Sequence, residues 1–162
     1  MDLSMMVGDV KFNYRVGLLI KRNNKILVEF NPDYDFTTIP GGRVKTLESS
    51  FEGLQREIEE EMHIKLNKEE VSLKALIENF FELDNKKYHE FYILYKLDVE
   101  EPDKRFTNEM INHDSKASIY KWIDKDKLAD ANLLPECLRY LKDNKEIEHI
   151  IINDLEDKEK HV

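Results

Sequence analysis

The stretch from Phe36 to Met62 constrains this chain most, because its apolar spacing changes part-way along. Phe36 to Ile39 reads as a short strand, stopped by the turn-forming run Pro40-Gly41-Gly42. From Leu47 to Met62 the spacing becomes helical, with Leu47, Phe51, Leu54, Ile58 and Met62 recurring every three or four residues. A strand, a glycine turn and an amphipathic helix therefore follow one another directly. The helix is also unusually acidic near its end, where four of the five residues from 57 to 61 are glutamates.

At 100° per residue, Glu57, Glu60 and Glu61 share a sector about 100° wide beside the apolar stripe, and Glu59 points away from them. Like charges three and four residues apart cost roughly 0.2 to 0.5 kcal/mol per pair, and negative charge at a helix C-terminus opposes the macrodipole. A bound cation removes both penalties. Oxygen donors on a rigid helix suit hard ions, so Mg²⁺ or Mn²⁺ is the expected partner, completed by water and substrate phosphate oxygens. Backbone carbonyls of the Pro-Gly-Gly turn stand ready as neutral ligands. Ser50 and Gly53 continue the same face with little bulk, which leaves room either for a substrate or for close packing of another segment. An acidic helix is ordinarily no more than a solvated face, and only this glycine context sets the present one apart.

The rest of the chain supplies mainly strands. Tyr14 to Ile20 and Ile26 to Phe30 flank Lys21-Arg22-Asn23-Asn24-Lys25 and predict a hairpin. Val71 to Leu83 and Tyr88 to Val99 predict a second one across Asp84-Asn85-Lys86-Lys87. Glu100 to Ser118 reads as a polar surface excursion, of the kind that often borders active sites, before a short strand at Ile119 to Ile123. Pro135 is placed as the first residue of a helix carrying Leu138, Leu141 and Ile147, and the charged end at about 153–162 is expected to fray.

The 162 residues are read as a single domain, 1–162, with that charged tail. Thirty-four acidic against 25 basic residues give a net charge of -9, which disfavours nucleic-acid polymers. No apolar run approaches a membrane span, and no basic region precedes one at the N-terminus. The single cysteine, Cys137, cannot form an intrachain disulfide and no cysteine or histidine cluster offers a zinc site, so a cytoplasmic setting is expected, with Cys137 read as a buried small apolar residue.

From Gly42 to Ile64 the chain reads Gly, five residues, Glu48, seven residues, then Arg56-Glu57-Ile58-Glu59-Glu60-Glu61-Met62-His63-Ile64. This resembles the signature box of the Nudix hydrolases at every defining position except His63, where the family has Gly. That glycine follows the catalytic helix, where a left-handed residue often ends a helix, so the departure bears on stability rather than chemistry. The resemblance implies an α/β fold, an α/β/α sandwich with a mixed β-sheet. It implies metal-dependent hydrolysis of a phosphoanhydride in a nucleotide or a nucleoside-diphosphate-linked compound. Glu57, Glu60 and Glu61 would hold the metal, helped by the carbonyl of Gly42 or Gly41, and one of the glutamates would also serve the attacking water. Glu48 and Arg56 would brace loop to helix. The resemblance leaves a homodimer open, and equally a catalytically silent module that senses nucleotides.

Outside the box, some Nudix enzymes take a further ligand or base from a downstream glutamate. Glu90, an acidic residue in an apolar strand, is the first choice, and Glu109 in the polar loop is the second. Glu78-Asn79 on the preceding strand is placed in the same pocket-facing row. Arg15 and Arg43 are candidates to meet substrate phosphate. Tyr34, Phe36 and Phe81 are weaker candidates to stack on a base, since Thr37 and Thr38 occupy the stretch where many relatives carry an aromatic residue.

Overall fold

The computed structural model describes residues 1–159. Its strands are β1 (Ser4–Val7), β2 (Val10–Arg22), β3 (Lys25–Phe30), β4 (Thr37–Thr38), β5 (Gly41–Arg43), β6 (Ser72–Leu83), β7 (Lys86–Asp98), β8 (Glu109–Ile111), β9 (Ile119–Asp124) and β10 (Glu148–Asn153). The helices are α1 (Ser50–Met62) and α2 (Asp154–Glu159), with short 3-10 turns between strands. The strands form one mixed sheet in the order β10-β6-β7-β2-β3-β9-β8, with β1 and β5 added to β2 and β4 to β3. β2 runs parallel to β7 and β10 parallel to β6, while the remaining pairs are antiparallel.

β2 is the axis of the fold because both its faces are buried, which is why its centre, Val16 to Ile20, is a continuous apolar run with one glycine. Val16, Leu18 and Ile20 turn to one face and pack with Leu54, Ile58 and Met62 of α1. Leu19 turns to the other and joins Ile26, Val28, Ile77 and Leu94 under Leu128, Leu133, Leu138 and Leu141. Helical and irregular layers thus cover a central mixed sheet, the sandwich that the family resemblance implies. No helix among the described residues is long and apolar enough to cross a membrane.

Several local expectations change. β2 pairs with β3 only at Lys21 and Arg22, next to the turn, and the rest of β2 is claimed by β7 and β5. Leu47 does not belong to the helix stripe: it is fully exposed with φ 62°, and α1 begins after it at Ser50. Gly41 and Gly42 do not merely stop a strand but form one of their own against β2. The segment Glu100 to Ser118 contains β8 and buries Phe106, Asn112 and Ser118, so it is not all surface.

The predicted C-terminal helix is reduced to a 3-10 turn at Glu136–Arg139, followed by β10. There the isoleucines at 150, 151 and 152 are β-branched and suit a strand laid beside β6 better than a helix. Within the predicted fraying tail, Asn153 ends β10 and Asp154–Glu159 forms α2, while residues 160–162 lie outside the described residues.

Candidate active site

α1 starts where Ser49 closes a capping box with Glu52: the Glu52 amide donates to Ser49 Oγ at 3.2 Å, and the Ser49 amide to Glu52 Oε2 at 2.8 Å. It ends on His63, whose backbone is left-handed at φ 56°, ψ 33° and whose amide donates to the Glu59 carbonyl. His63 therefore takes the conformation for which glycine is normally used. Its ring stacks on His113 with centroids 3.6 Å apart, and the His113 amide donates to the Glu61 carbonyl at 2.8 Å, so the 112–118 loop is latched to the helix end.

The glutamates of the acidic face have three different surroundings. Glu57 lies against Gly42, so closely that a methyl group there would sit 2.3 Å from the carboxylate carbon. It accepts from Arg56 Nη1 at 2.6 Å, and the same nitrogen lies 3.5 Å from the more exposed Glu60. Arg56 is itself held by Glu48 through two bonds of 2.8 and 3.0 Å and donates to the Arg43 carbonyl at 3.0 Å. That pairing keeps the Glu48 carboxyl below its ordinary range.

Glu61 turns inward. Its carboxylate accepts from Tyr120 Oη at 2.9 Å and from the Gly41 amide at 3.3 Å. Asn112 Nδ2 joins Tyr120 Oη and Glu29 Oε1, both at 3.1 Å, so Glu29 stands close behind. Burial, then the Glu29 charge, pushes the Glu61 carboxyl up to about 8. Glu59 faces solvent. Among the described residues, no three acidic, histidine or cysteine side chains stand together closely enough to hold a metal ion as they are. The donor set nevertheless fits a hard divalent ion, being all oxygen and crowded with like charge.

The ladder bears on the choice between the two glycine carbonyls. Leu18 donates to the Pro40 carbonyl and Val44 to the Tyr14 carbonyl, so the intervening Val16 and Gly42 pair belongs to the same hydrogen-bonded phase. Gly42 thus spends its carbonyl on β2. Gly41 is out of phase, its amide already directed at Glu61, and it is the glycine with a carbonyl to spare.

The other candidates gather on the opposite face of β2. Asn13 and Arg15 stand beside Glu90 and Tyr92 of β7 in register, with Asn79 next to Glu90 on β6. Glu90 is buried, accepts from Asn13 Nδ2 at 3.3 Å and lies 3.8 Å from Arg15 Nη1. Arg43 is the register partner of Arg15, with its guanidinium 3.8 Å from Asp2. Two expectations are displaced. Glu78 turns away to meet His149 at 2.8 Å, and Glu109 sits exposed on β8, 3.6 Å from Lys121.

Ser50 and Gly53 do not open a substrate surface. Ser50 Oγ bonds Tyr95 Oη at 2.9 Å, and Gly53 is buried against Glu48 and Val44. The aromatic candidates form two stacks, Tyr34 on Phe36 and Phe81 on Tyr88. Cys137 is partly buried and its thiol is pushed up to about 11 by burial, which makes it inert at neutral pH.

Residues 11–143 match the family profile described as NUDIX domain. The chain belongs to the NUDIX domain family. In this NUDIX protein the match runs from β2 to Asp143 and so includes both α1 and the Arg15–Glu90 face. Similar solved structures include a mutator MutT protein from Bacillus halodurans, 14% identical with a TM-score of 0.60, covering 88% of this chain and 91% of that one. A MutT NUDIX hydrolase from Burkholderia pseudomallei is 22% identical with a TM-score of 0.55, covering 71% and 84%. An Ap4A hydrolase from C. elegans, in a binary complex, is 23% identical with a TM-score of 0.52, covering 74% and 85%. Among curated proteins none matches the chain. At these identities the structures speak for the NUDIX fold.

Sequence reasoning did not find Glu29, Asn112, Tyr120 or Tyr92. Each acts across strands from a distant part of the chain, and only the Asx turn at Asn112-His113-Asp114 had a local signal.

Proposed function

We propose that this chain hydrolyses a phosphoanhydride bond in a nucleotide or a nucleoside-diphosphate-linked compound, with water attacking phosphorus. Family membership carries the coarser statement, a Nudix-type pyrophosphohydrolase acting on acid anhydrides, and members of the family generally need divalent metal ions. One observation supports the rest most strongly: Glu57 and Glu61 lie against the bare Gly41-Gly42 backbone, Glu60 shares Arg56 with Glu57, and burial followed by the Glu29 charge raises the Glu61 carboxyl above its ordinary value.

In this reading Glu57, Glu60 and Glu61 hold Mg²⁺ or Mn²⁺, with the Gly41 carbonyl rather than that of Gly42 as the neutral donor. When bound, the ion screens the phosphate oxygens and acidifies a water molecule. The protein's own part is positional. Arg56, anchored on Glu48, holds Glu57 against Gly42 and keeps Glu60 within reach. Tyr120 and the Gly41 amide fix Glu61. Glu60, the most exposed of the three, is best placed to take a proton from an entering water. Arg15 and Arg43 lie together across β2 and β5 and offer cationic donors to a phosphate, with Glu90 setting the orientation of Arg15 and standing as the downstream acid.

The Ap4A hydrolase neighbour is a precedent for a nucleotide substrate, and a panel of nucleotides and diphosphate compounds assayed with Mg²⁺ and Mn²⁺ decides among the candidates. Glu60→Gln is expected to lower kcat by at least about a hundredfold with the fold retained, and chelation to abolish turnover. Full metal-dependent turnover in Glu60→Gln would overturn the assignment.

A further inference from the structure

Tyr92 is a buried phenol, only 6% exposed, and among the described residues no protein group hydrogen-bonds its hydroxyl. The hydroxyl oxygen itself is not sealed off within the protein, so it is a donor free to meet a ligand. Beside it on β2, Arg15 is its register partner, and Arg15 Nε is buried without an acceptor, a costly state that calls for a partner from outside the chain. One orphaned cationic donor and one hydroxyl without a protein partner, on neighbouring strands, thus face the same side of the sheet.

The floor beneath them is cleared. A Cβ on Gly17 would stand 1.9 Å from Tyr92 Oη, so the ring lies across β2 in the space that any other residue would fill. The register partner of Gly17 is Gly41, also without a side chain, whose amide bonds Glu61. The phenol thus stands over bare backbone next to the Gly41–Glu61 contact, and Arg15, Glu90, Cys137 and Glu61 all bear on it electrostatically. Burial pushes the phenol up, so it keeps its proton and donates at neutral pH.

We propose that Tyr92 is a substrate-binding residue that, with Arg15, donates a hydrogen bond to a phosphate oxygen of the bound diphosphate over the Gly17–Gly41 floor. This rests on the reading above that the ligand carries a diphosphate. Removing the hydroxyl forfeits a charge-assisted hydrogen bond and leaves the ring in place.

The test is Tyr92→Phe in the full chain, with calorimetric binding of inorganic pyrophosphate and ADP in the presence of Mg²⁺, alongside thermal unfolding and turnover on the diphosphate panel. Binding is expected to weaken about ten- to a hundredfold, with KM raised and the melting temperature unchanged or higher, because the hydroxyl has no protein partner to lose. Gly17→Ala, which displaces the hydroxyl, should weaken the same binding. Wild-type affinity in Tyr92→Phe overturns the proposal, as does a lowered melting temperature without loss of affinity, or a wild-type protein that binds neither probe. If Tyr92→Phe weakens binding but no diphosphate compound is turned over, the subsite stands and the hydrolase reading falls.

Discussion

At the scale of single residues, His63 shows how a departure from a family pattern is accommodated. Left-handed backbone costs a non-glycine residue roughly 1 to 2 kcal/mol, and His63 offsets part of this by stacking on His113. His63→Gly exchanges strain for the stack and is expected to change stability by less than about 1 kcal/mol. His63→Ala keeps the strain and loses the stack, so it should be the less stable of the two by about 1 kcal/mol in urea unfolding. Equal stabilities of the two variants would show that the left-handed backbone carries no strain. The identity of the acidic residues was legible in the chain from spacing alone. Their separate surroundings were not, because Arg56 takes two of them and Tyr120 the third.

Among elements, α1 carries the site, and its start decides where its carboxylates stand. Ser49 and Glu52 set that start three residues later than the apolar spacing suggests, since a capping box satisfies two amides that Leu47 could not. Ser49→Ala is expected to cost about 1 kcal/mol by chemical denaturation and to leave the affinity for substrate little changed. The strand at Gly41–Arg43 shows the opposite limit. Gly-Gly ordinarily signals a turn, and here it pairs with β2 because a Cβ at 41 would meet the Val16 carbonyl at 2.2 Å and one at 42 would meet Glu57. Close approach is the use of both glycines, and Gly41, at φ 150°, also takes a backbone conformation that other residues rarely adopt.

For the whole molecule, the buried acidic group spans β3, α1 and the loop behind them, and it links stability to pH and metal together. Glu61 has its carboxyl raised from 4.5 to about 8 in the folded chain. A raised value means that the folded state holds the proton more tightly, so this contribution to stability is complete below about pH 4.5 and is lost as pH rises through 8. In chelator, the urea midpoint should therefore fall between about pH 5 and pH 8. Glu61→Gln should flatten that fall. Saturating Mg²⁺ or Mn²⁺ should oppose it, by about 2.7 kcal/mol at a hundred times the dissociation constant. A flat profile in metal-free wild type would remove Glu61 from the acidic cluster.

The sequence by itself determined the amphipathic helix with its acidic face, the pairing of Glu48 with Arg56, most of the strands and the family, because each depends on periodicity or on spacing within some twenty residues. It misplaced the C-terminal segment, since Leu138 and Leu141 fit a helical spacing and nothing local announces that residues 148–153 will lie beside β6. Only the tertiary structure decided which residues face the site from across the sheet. Tyr92 over Gly17, Glu90 beside Arg15, and Glu61 between Tyr120 and Gly41 all join residues from separate parts of the chain, brought together by strand order and register rather than by neighbouring sequence.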